Sequence, residues 1–262
     1  MAGSPRPRAR DLGLRIGLLP PGPTNTIVDV PSVAVGHATV WRDELEPPAG
    51  RGVARTGVTA ILPGPLDRGL RDRVWAGADV LNGAGEMTGF ATVREWGQLL
   101  TPILLTSTLA VGRVYDATVA ILADAVPDYR EVFIPLVGEC DDSLLSDPVP
   151  VQVTEADVRA AIAAATGIDG GPVAMGAVGA GTGMRCFELK GGIGSASRVV
   201  QPVSRWSDRP ADDAPAYSVG VLLLANFGEL GRLTIDGVHV GRALRSDGWP
   251  EAGGGRERGG IR

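Results

Sequence analysis

The 262-residue chain is 44 % hydrophobic and 21 % charged, ordinary proportions for a globular protein large enough to bury a core. A net charge of −5 with no basic stripe argues against nucleic-acid binding, and no apolar run is long enough to span a bilayer. Two cysteines and two histidines, without metal-ligand spacing, argue against a zinc site and against a disulfide framework.

In chain order, residues 1–10 read as a flexible tail. The arginine-rich stretch PRPRARDLGLR (residues 5–15) lacks the apolar segment of a signal peptide, so the cytoplasm is the expected compartment, with no membrane partner. Residues 27–40 (IVDVPSVAVGHATV) read as an irregular strand pair broken at Pro31. Residues 57–62 (GVTAIL) form an apolar strand closed by Pro63 and Gly64. The turn NGAGEMTGF (residues 82–90) opens a helix through Val93 and Trp96. Residues 103–108 (ILLTST) read as strand, 114–125 as helix, and 132–137 (VFIPLV) as strand before the acidic loop GECDDSLLSD.

The clearest helix follows Thr154. Thr154 can cap it, Glu155 and Asp157 suit its positive end, Val158, Ala161, Ile162 and Ala165 share one face, and Gly167 closes it. Residues 217–225 and 233–235 read as strands, with Asp236-Gly237 turning the second back towards residues 238–240. The last stretch, residues 246–262, has no periodicity and reads as a disordered tail. Strands and helices mix without regular βαβ alternation. This favours a layered α/β sandwich over a doubly wound sheet, in one domain covering residues 11–245.

The stretch GAVGAGTGMRCFELKGGIGSASR (residues 176–198) holds the chemistry. A dinucleotide fingerprint fails in both registers, with Met184 or Cys186 at the third glycine position, and no G-K-[ST] follows. Ser195 is not in a nucleophile elbow, because Ile193 and Ser197 stand where glycines would be needed. His37 and His239 read as locally satisfied histidines rather than bases. One route needs no histidine. If Ser195 Oγ attacks the carbonyl of Gly194, an N-to-O shift and hydrolysis leave Ser195 with a free α-amine, which has a pKa of about 7.7–8.0 and can act as base. A flexible glycine loop remains the alternative from pattern alone.

This stretch closely resembles the processing-site segment of the DmpA-type aminopeptidases, N-terminal-nucleophile-like hydrolases that cut themselves at a Gly-Ser or Gly-Thr bond. ARDLGLRIG, TNTIVDVPSVAVGHATV, NGAGEMTG, TPILLTST with VGRVYD, VGECDDSLLSD and VLLLANFGELGRLTIDGVHVGR carry the resemblance from Ala9 to about Leu244. It implies a four-layer α-β-β-α sandwich with Ser195 at the start of a central strand. It also implies cleavage between Gly194 and Ser195, giving an α chain of residues 1–194 and a β chain from Ser195, and a homo-oligomer of processed protomers. Substrates would be small peptides, amides or esters with a free amino end, held as an acyl-enzyme on Ser195, with no cofactor and no metal. An oxyanion hole is needed on physical grounds, with Asn82 and Asn226 as its amide side chains, though either asparagine could equally be a turn residue. Glu86, Ser146 and Glu229 are the expected substrate-binding residues, with Arg198 as a further lining group. Glu229 is alternatively a solvated loop carboxylate.

Two departures stand out. The acidic loop ends Leu145-Ser146-Asp147, where the family usually has Leu-Asn-Asp. Beyond VGR the family continues with a further strand carrying an Ala-Thr-Asp-Ala-Pro run, which this chain lacks, so a sandwich incomplete at its C-terminal end is expected. Three hypotheses follow: a self-processing serine aminopeptidase or amidase, a truncated inactive relative, and an acyltransferase of the ornithine acetyltransferase type.

Overall fold

The computed structural model describes residues 7–167, 171–202 and 215–248. The expected tails therefore lie largely outside the described residues, at 1–6 and 249–262. Arg8, within the expected N-terminal tail, donates to Thr24 O at 2.9 Å and Asn25 O at 2.8 Å.

The central sheet has the order β1-β2-β5-β6, from β1 (Ala34–Asp43), β2 (Val53–Leu62), β5 (Ile103–Ser107) and β6 (Leu136–Cys140). The first three strands are antiparallel to their neighbours, and β6 runs parallel to β5. A parallel neighbour requires a crossover, which α3 (Val111–Ala125) supplies. Between β2 and β5 the chain makes α1 (Arg68–Asp72), the short pair β3 (Val74–Trp75) and β4 (Gln98–Leu99), and α2 (Phe90–Trp96). Helix α4 (Glu155–Thr166) starts on a capping box between Thr154 and Asp157, and Gly167 N–H closes its end on Ala163 O. Its expected face is the buried one: Val158, Ala161, Ile162 and Ala165 are each at most 5 % exposed.

α3 and α4 cover one face of the sheet, burying a core that includes Val58, Leu62, Leu104, Val114, Val137 and Val158. Alanines on α4 let β1 approach closely: a side chain at Gly36 would collide with the main chain at Ala161 and Ala165. On the other face lies the antiparallel pair β9 (Gly192–Val200) and β10 (Tyr217–Ala225), preceded by the small pair β7 (Arg185–Cys186) and β8 (Leu189–Lys190). The described residues thus form a helix layer, a sheet and a second sheet layer. α5 (Val240–Ser246) packs on the 3₁₀ turn Leu230–Arg232 instead of on β10. Along β10 the side chains alternate, and the outward ones, Tyr217, Val219, Val221 and Leu223, are 51–62 % exposed.

Three expectations shift. Residues 27–29 form a 3₁₀ turn instead of a strand, because Thr26 and Asp29 make a capping box, so β1 begins only at Ala34. The strand expected at 132–137 is displaced to β6. Pro135 has no N–H to offer, and pairing with β5 starts at Ile103↔Leu136. Residues 233–235 contribute only the bridge Ile235↔Val238 around Asp236 and Gly237, whose φ values are +48° and +80°, and the chain then enters α5. Among the described residues, no helix is long and apolar enough to cross a membrane.

Candidate active site

β9 carries the Gly194–Ser195 bond in the interior of a continuous strand, with Gly194 opposite Leu223 and Ser195 opposite Leu222. The glycine run exists to bring loop 176–183 onto this strand. Gly176 and Ile193 form a two-way bridge, and a side chain at Gly192 (φ +123°) would collide with Gly176 O. At Gly194, by contrast, an added methyl would meet only Leu223 Cβ at 3.9 Å, so the space a side chain would fill there is free.

Ser195 is half-buried. Its Oγ accepts the Ile27 N–H at 2.8 Å and donates to Val221 O at 2.9 Å. Its own N–H donates to Met175 Sδ at 3.2 Å. A hydroxyl held between a donor and an acceptor has one rotamer and a lone pair left for attack. Two residues along the same strand face, Ser197 is 1 % exposed, accepts the Gly22 N–H at 3.1 Å and donates to Asp29. Asp29 also accepts Thr24 N–H at 2.9 Å, Thr24 Oγ1–H at 2.7 Å and Thr26 N–H at 3.3 Å. Partial burial pushes its carboxyl up, but the bonds from Ser197 and Thr24 outweigh this and hold it below the usual carboxylate range.

Neither histidine touches Ser195. His37 Nδ1 pairs with Thr59 Oγ1 at 2.9 Å, its Nε2 is buried without a partner, and burial lowers its pKa, so it is neutral. His239 pairs with Thr234 at 3.2 Å. Cys140 and Cys186 are unpaired. Burial, with repulsion from Glu139, Asp141 and Asp142, pushes the Cys140 thiol up to about 12, so it supplies no thiolate at neutral pH.

A cavity of about 390 Å³ opens between the two sheet layers, lined by Ile61, Leu105, Glu139 and Leu224 among others, and by Ile27 and Leu222, which bond to and pair with Ser195 while Ser195 itself is not part of the lining. Glu139 is its one charged group. The carboxylate accepts Glu86 N–H at 3.1 Å and the Thr108 hydroxyl, and no cation pairs with it among the described residues. A larger depression at Arg73, Trp96 and Gln98 touches none of these groups.

The residues named from sequence scatter around this centre. Glu86 reaches it through its main chain, while its side chain turns back to accept Met87 N–H at 2.9 Å. Asn82 is exposed and accepts Ala84 N–H at 3.0 Å, an Asx turn. Asn226, where β10 ends, donates to Asp141 O. Ser146 is buried and accepts Arg55 N–H at 3.1 Å. Glu229 is exposed and pairs with Arg232 at 3.4 Å. Arg198 holds Asn25 Oδ1 at 3.1 Å and Ile16 O at 3.1 Å. None of them bonds Ser195. Ile27, Asp29, Ser197, Met175 and Glu139 were not identified from sequence. The Thr-x-x-Asp spacing at 26–29 and the Ser-x-Ser alternation at 195–197 were the available signals.

The model of Peptidase family S58 matches residues 25–256. Beta-peptidyl aminopeptidase BapA of Sphingosinicella xenopeptidilytica is 42 % identical over 250 residues, covering 95 % of this chain and 58 % of that protein. BapA of Sphingosinicella microcystinivorans is 41 % identical over 255 residues, covering 97 % and 60 %. Among solved structures, the Burkholderia sp. beta-aminopeptidase superposes with a TM-score of 0.81 at 44 % identity, covering 91 % of this chain and 62 % of that one. The L-aminopeptidase D-Ala-esterase/amidase from Ochrobactrum anthropi, described as a variant among the Ntn hydrolase fold, gives 0.78 at 38 % identity, covering 92 % and 63 %. The chain thus spans about three fifths of the length of these relatives. By the family match across most of its length, and by its likeness in fold, the chain belongs to peptidase family S58.

Proposed function

We propose that the protein is a self-processing serine aminopeptidase that cleaves its own Gly194–Ser195 bond and then releases N-terminal residues from small peptides, amides or esters. The observation that carries this reading is the setting of Ser195. Its hydroxyl is held by Ile27 N–H and Val221 O directly after a glycine with free space in place of a side chain, and neither histidine hydrogen-bonds it. In the first step Oγ bonds to the Gly194 carbonyl carbon, the C–N bond breaks, and the hydroxyl proton passes to the Ser195 nitrogen. Water then hydrolyses the ester, leaving a Gly194 carboxylate, the Ser195 hydroxyl and a free α-amine. That amine takes the hydroxyl proton when Ser195 attacks a substrate carbonyl and passes it to the leaving amine or alcohol as the scissile bond breaks, and a second water then hydrolyses the acyl ester to a carboxylic acid and the free hydroxyl.

The adjacent cavity suits such substrates. Aliphatic walls accept a side chain, and the Glu139 carboxylate, held by two neutral donors, accepts a terminal ammonium. Glu86 supports Glu139 through its amide. In this reading Asn226, directly after the strand paired with that of Ser195, supplies the oxyanion donor, with Asn82 second. Ser146 stands where the family's asparagine would be, and Glu229 lies in the loop after Asn226. The relatives' names, beta-peptidyl aminopeptidase and L-aminopeptidase D-Ala-esterase/amidase, support this substrate class. Unpaired Cys140 and Cys186 fit the reducing cytoplasm, and processed protomers would assemble as a homo-oligomer. The exposed outer face of β10 favours a second reading, an inactive relative.

A denaturing gel with intact masses separates the two. The proposal expects fragments ending at Gly194 and beginning at Ser195 from the wild type, and a single chain from Ser195→Ala. A wild-type chain that stays whole sinks it.

A further inference from the structure

One of the two groups that orient Ser195 Oγ comes from a distant segment whose position depends on one carboxylate. The Ile27 N–H follows immediately on Thr26, which is fully buried. The turn carrying both is folded around Asp29, which gathers Thr24 N–H, Thr24 Oγ1–H and Thr26 N–H from its own segment and the Ser197 hydroxyl from β9. Ser197 lies on the same strand face as Ser195, so this bond fixes the turn against the nucleophile's own strand. β10 presses from beneath. A side chain at Gly220, which pairs with Ser197, would come within 2.9 Å of Ile27 Cα and Ile27 O and 2.8 Å of Val30 Cγ2. Besides Asp29, the segment is held from outside by Arg8 on Thr24 O and Asn25 O, and by Arg198 and the Ser197 N–H on Asn25 Oδ1.

We propose that Asp29 is a positioning residue for chemistry at Ser195: through Ser197 and the 24–27 segment it fixes the Ile27 N–H on Ser195 Oγ. This rests on the reading of Ser195 as nucleophile. As the Oγ proton leaves, negative charge builds on that oxygen, and a main-chain donor already in place stabilises it without reorganisation. In the ester the same oxygen is a weaker acceptor, so the bond counts most in the transition state. Asp29 does not line the cavity, and its carboxylate requires no proton transfer for this task.

The test is Asp29→Asn, which keeps the shape, removes the charge and turns one of the two accepting oxygens into a donor, read in two ways on the full chain. Amide exchange at Ile27 and Thr26 should rise on the order of 10-fold while the β9–β10 ladder keeps its protection. The rate of splitting at Gly194–Ser195 should fall on the order of 10-fold, and in split enzyme kcat should fall by a similar factor with KM unchanged. Should Asp29→Asn fail to fold, Ser197→Ala removes the bond from Asp29 to β9, leaves the bonds from Ser197 N–H and Arg198 to Asn25 Oδ1, and should give the same pattern more weakly. Unchanged exchange at Ile27 overturns the proposal, and so does faster exchange with splitting at the wild-type rate. A parallel loss in kcat and rise in KM also overturns it, since that places Asp29 in substrate binding. A wild type that never splits refutes the aminopeptidase reading, whereas the exchange measurement still decides whether Asp29 holds Ile27.

Discussion

Asp142 and Asp141 are neighbours in an acidic loop, yet Asp141 is exposed and Asp142 is 1 % exposed. Burial pushes the Asp142 carboxyl up to about 6. Thr56 beside it offsets part of this without completing a sound hydrogen bond, since Thr56 Oγ1 and Asp142 Oδ2 both lack partners. A carboxyl whose pKa is raised by folding contributes stability that is fully present below its unfolded value, near 3.8, and is lost as pH rises through about 6. Two units correspond to about 3 kcal/mol. Asp142→Asn should therefore be the more stable protein at pH 8, with the gap closing towards pH 4. Urea melts at both pH values check this, and a gap independent of pH counts against it. At this scale the glycine-rich pattern around Ser195 by itself left a flexible loop as the alternative, and only the resemblance of the whole segment to a family singled the serine out. Asp29 and Glu139 were not legible, since the significance of Asp29 comes from Ser197, 168 positions along the chain, and that of Glu139 from a cavity assembled by strands distant in sequence.

Helix α4 could be located from its apolar spacing and capping pair, because both signals lie within a few residues. β9 was hidden, because its sequence, GIGSASRVV, lacks alternating bulk and its glycines read as loop. The structure gives those glycines different tasks. Gly192 takes a backbone angle that other residues rarely adopt and sits against Gly176 O, so Gly192→Ala should cost more than about 2 kcal/mol. Gly194 has room for a methyl, so Gly194→Ala should stay within about 1 kcal/mol of wild type. Thermal melts of the two variants give the comparison, and equal losses would contradict the assignment. β6 shows a third behaviour. Its apolar run was visible, but Pro135 and pairing with β5 moved it four residues along the chain, a decision made by the neighbouring strand.

On the whole molecule, one sheet layer is covered by α3 and α4, whereas the outer side of β10 presents Tyr217, Val219, Val221 and Leu223 to solvent. A contiguous apolar strand face of this kind promotes association and binds apolar dyes. Replacing Val219 and Leu223 by Thr should lower dye fluorescence and shift sedimentation towards the monomer, with the far-ultraviolet spectrum retained. If neither changes, the face is not the source of association. By itself the sequence determined the mixed α/β class, the helix after Thr154, the strands at 57–62, 103–107 and 217–225, and the motif set that places the chain in its family. Those features rest on local periodicity, caps and motifs of adjacent residues. Only the tertiary structure decided that the 27–29 segment is a turn resting on β9–β10, that Ile27 N–H and Val221 O orient Ser195, and that Glu139 lines the cavity between the two sheet layers. Hydrogen bonds and burial between segments far apart in sequence fix these, and composition and spacing carry no record of such contacts.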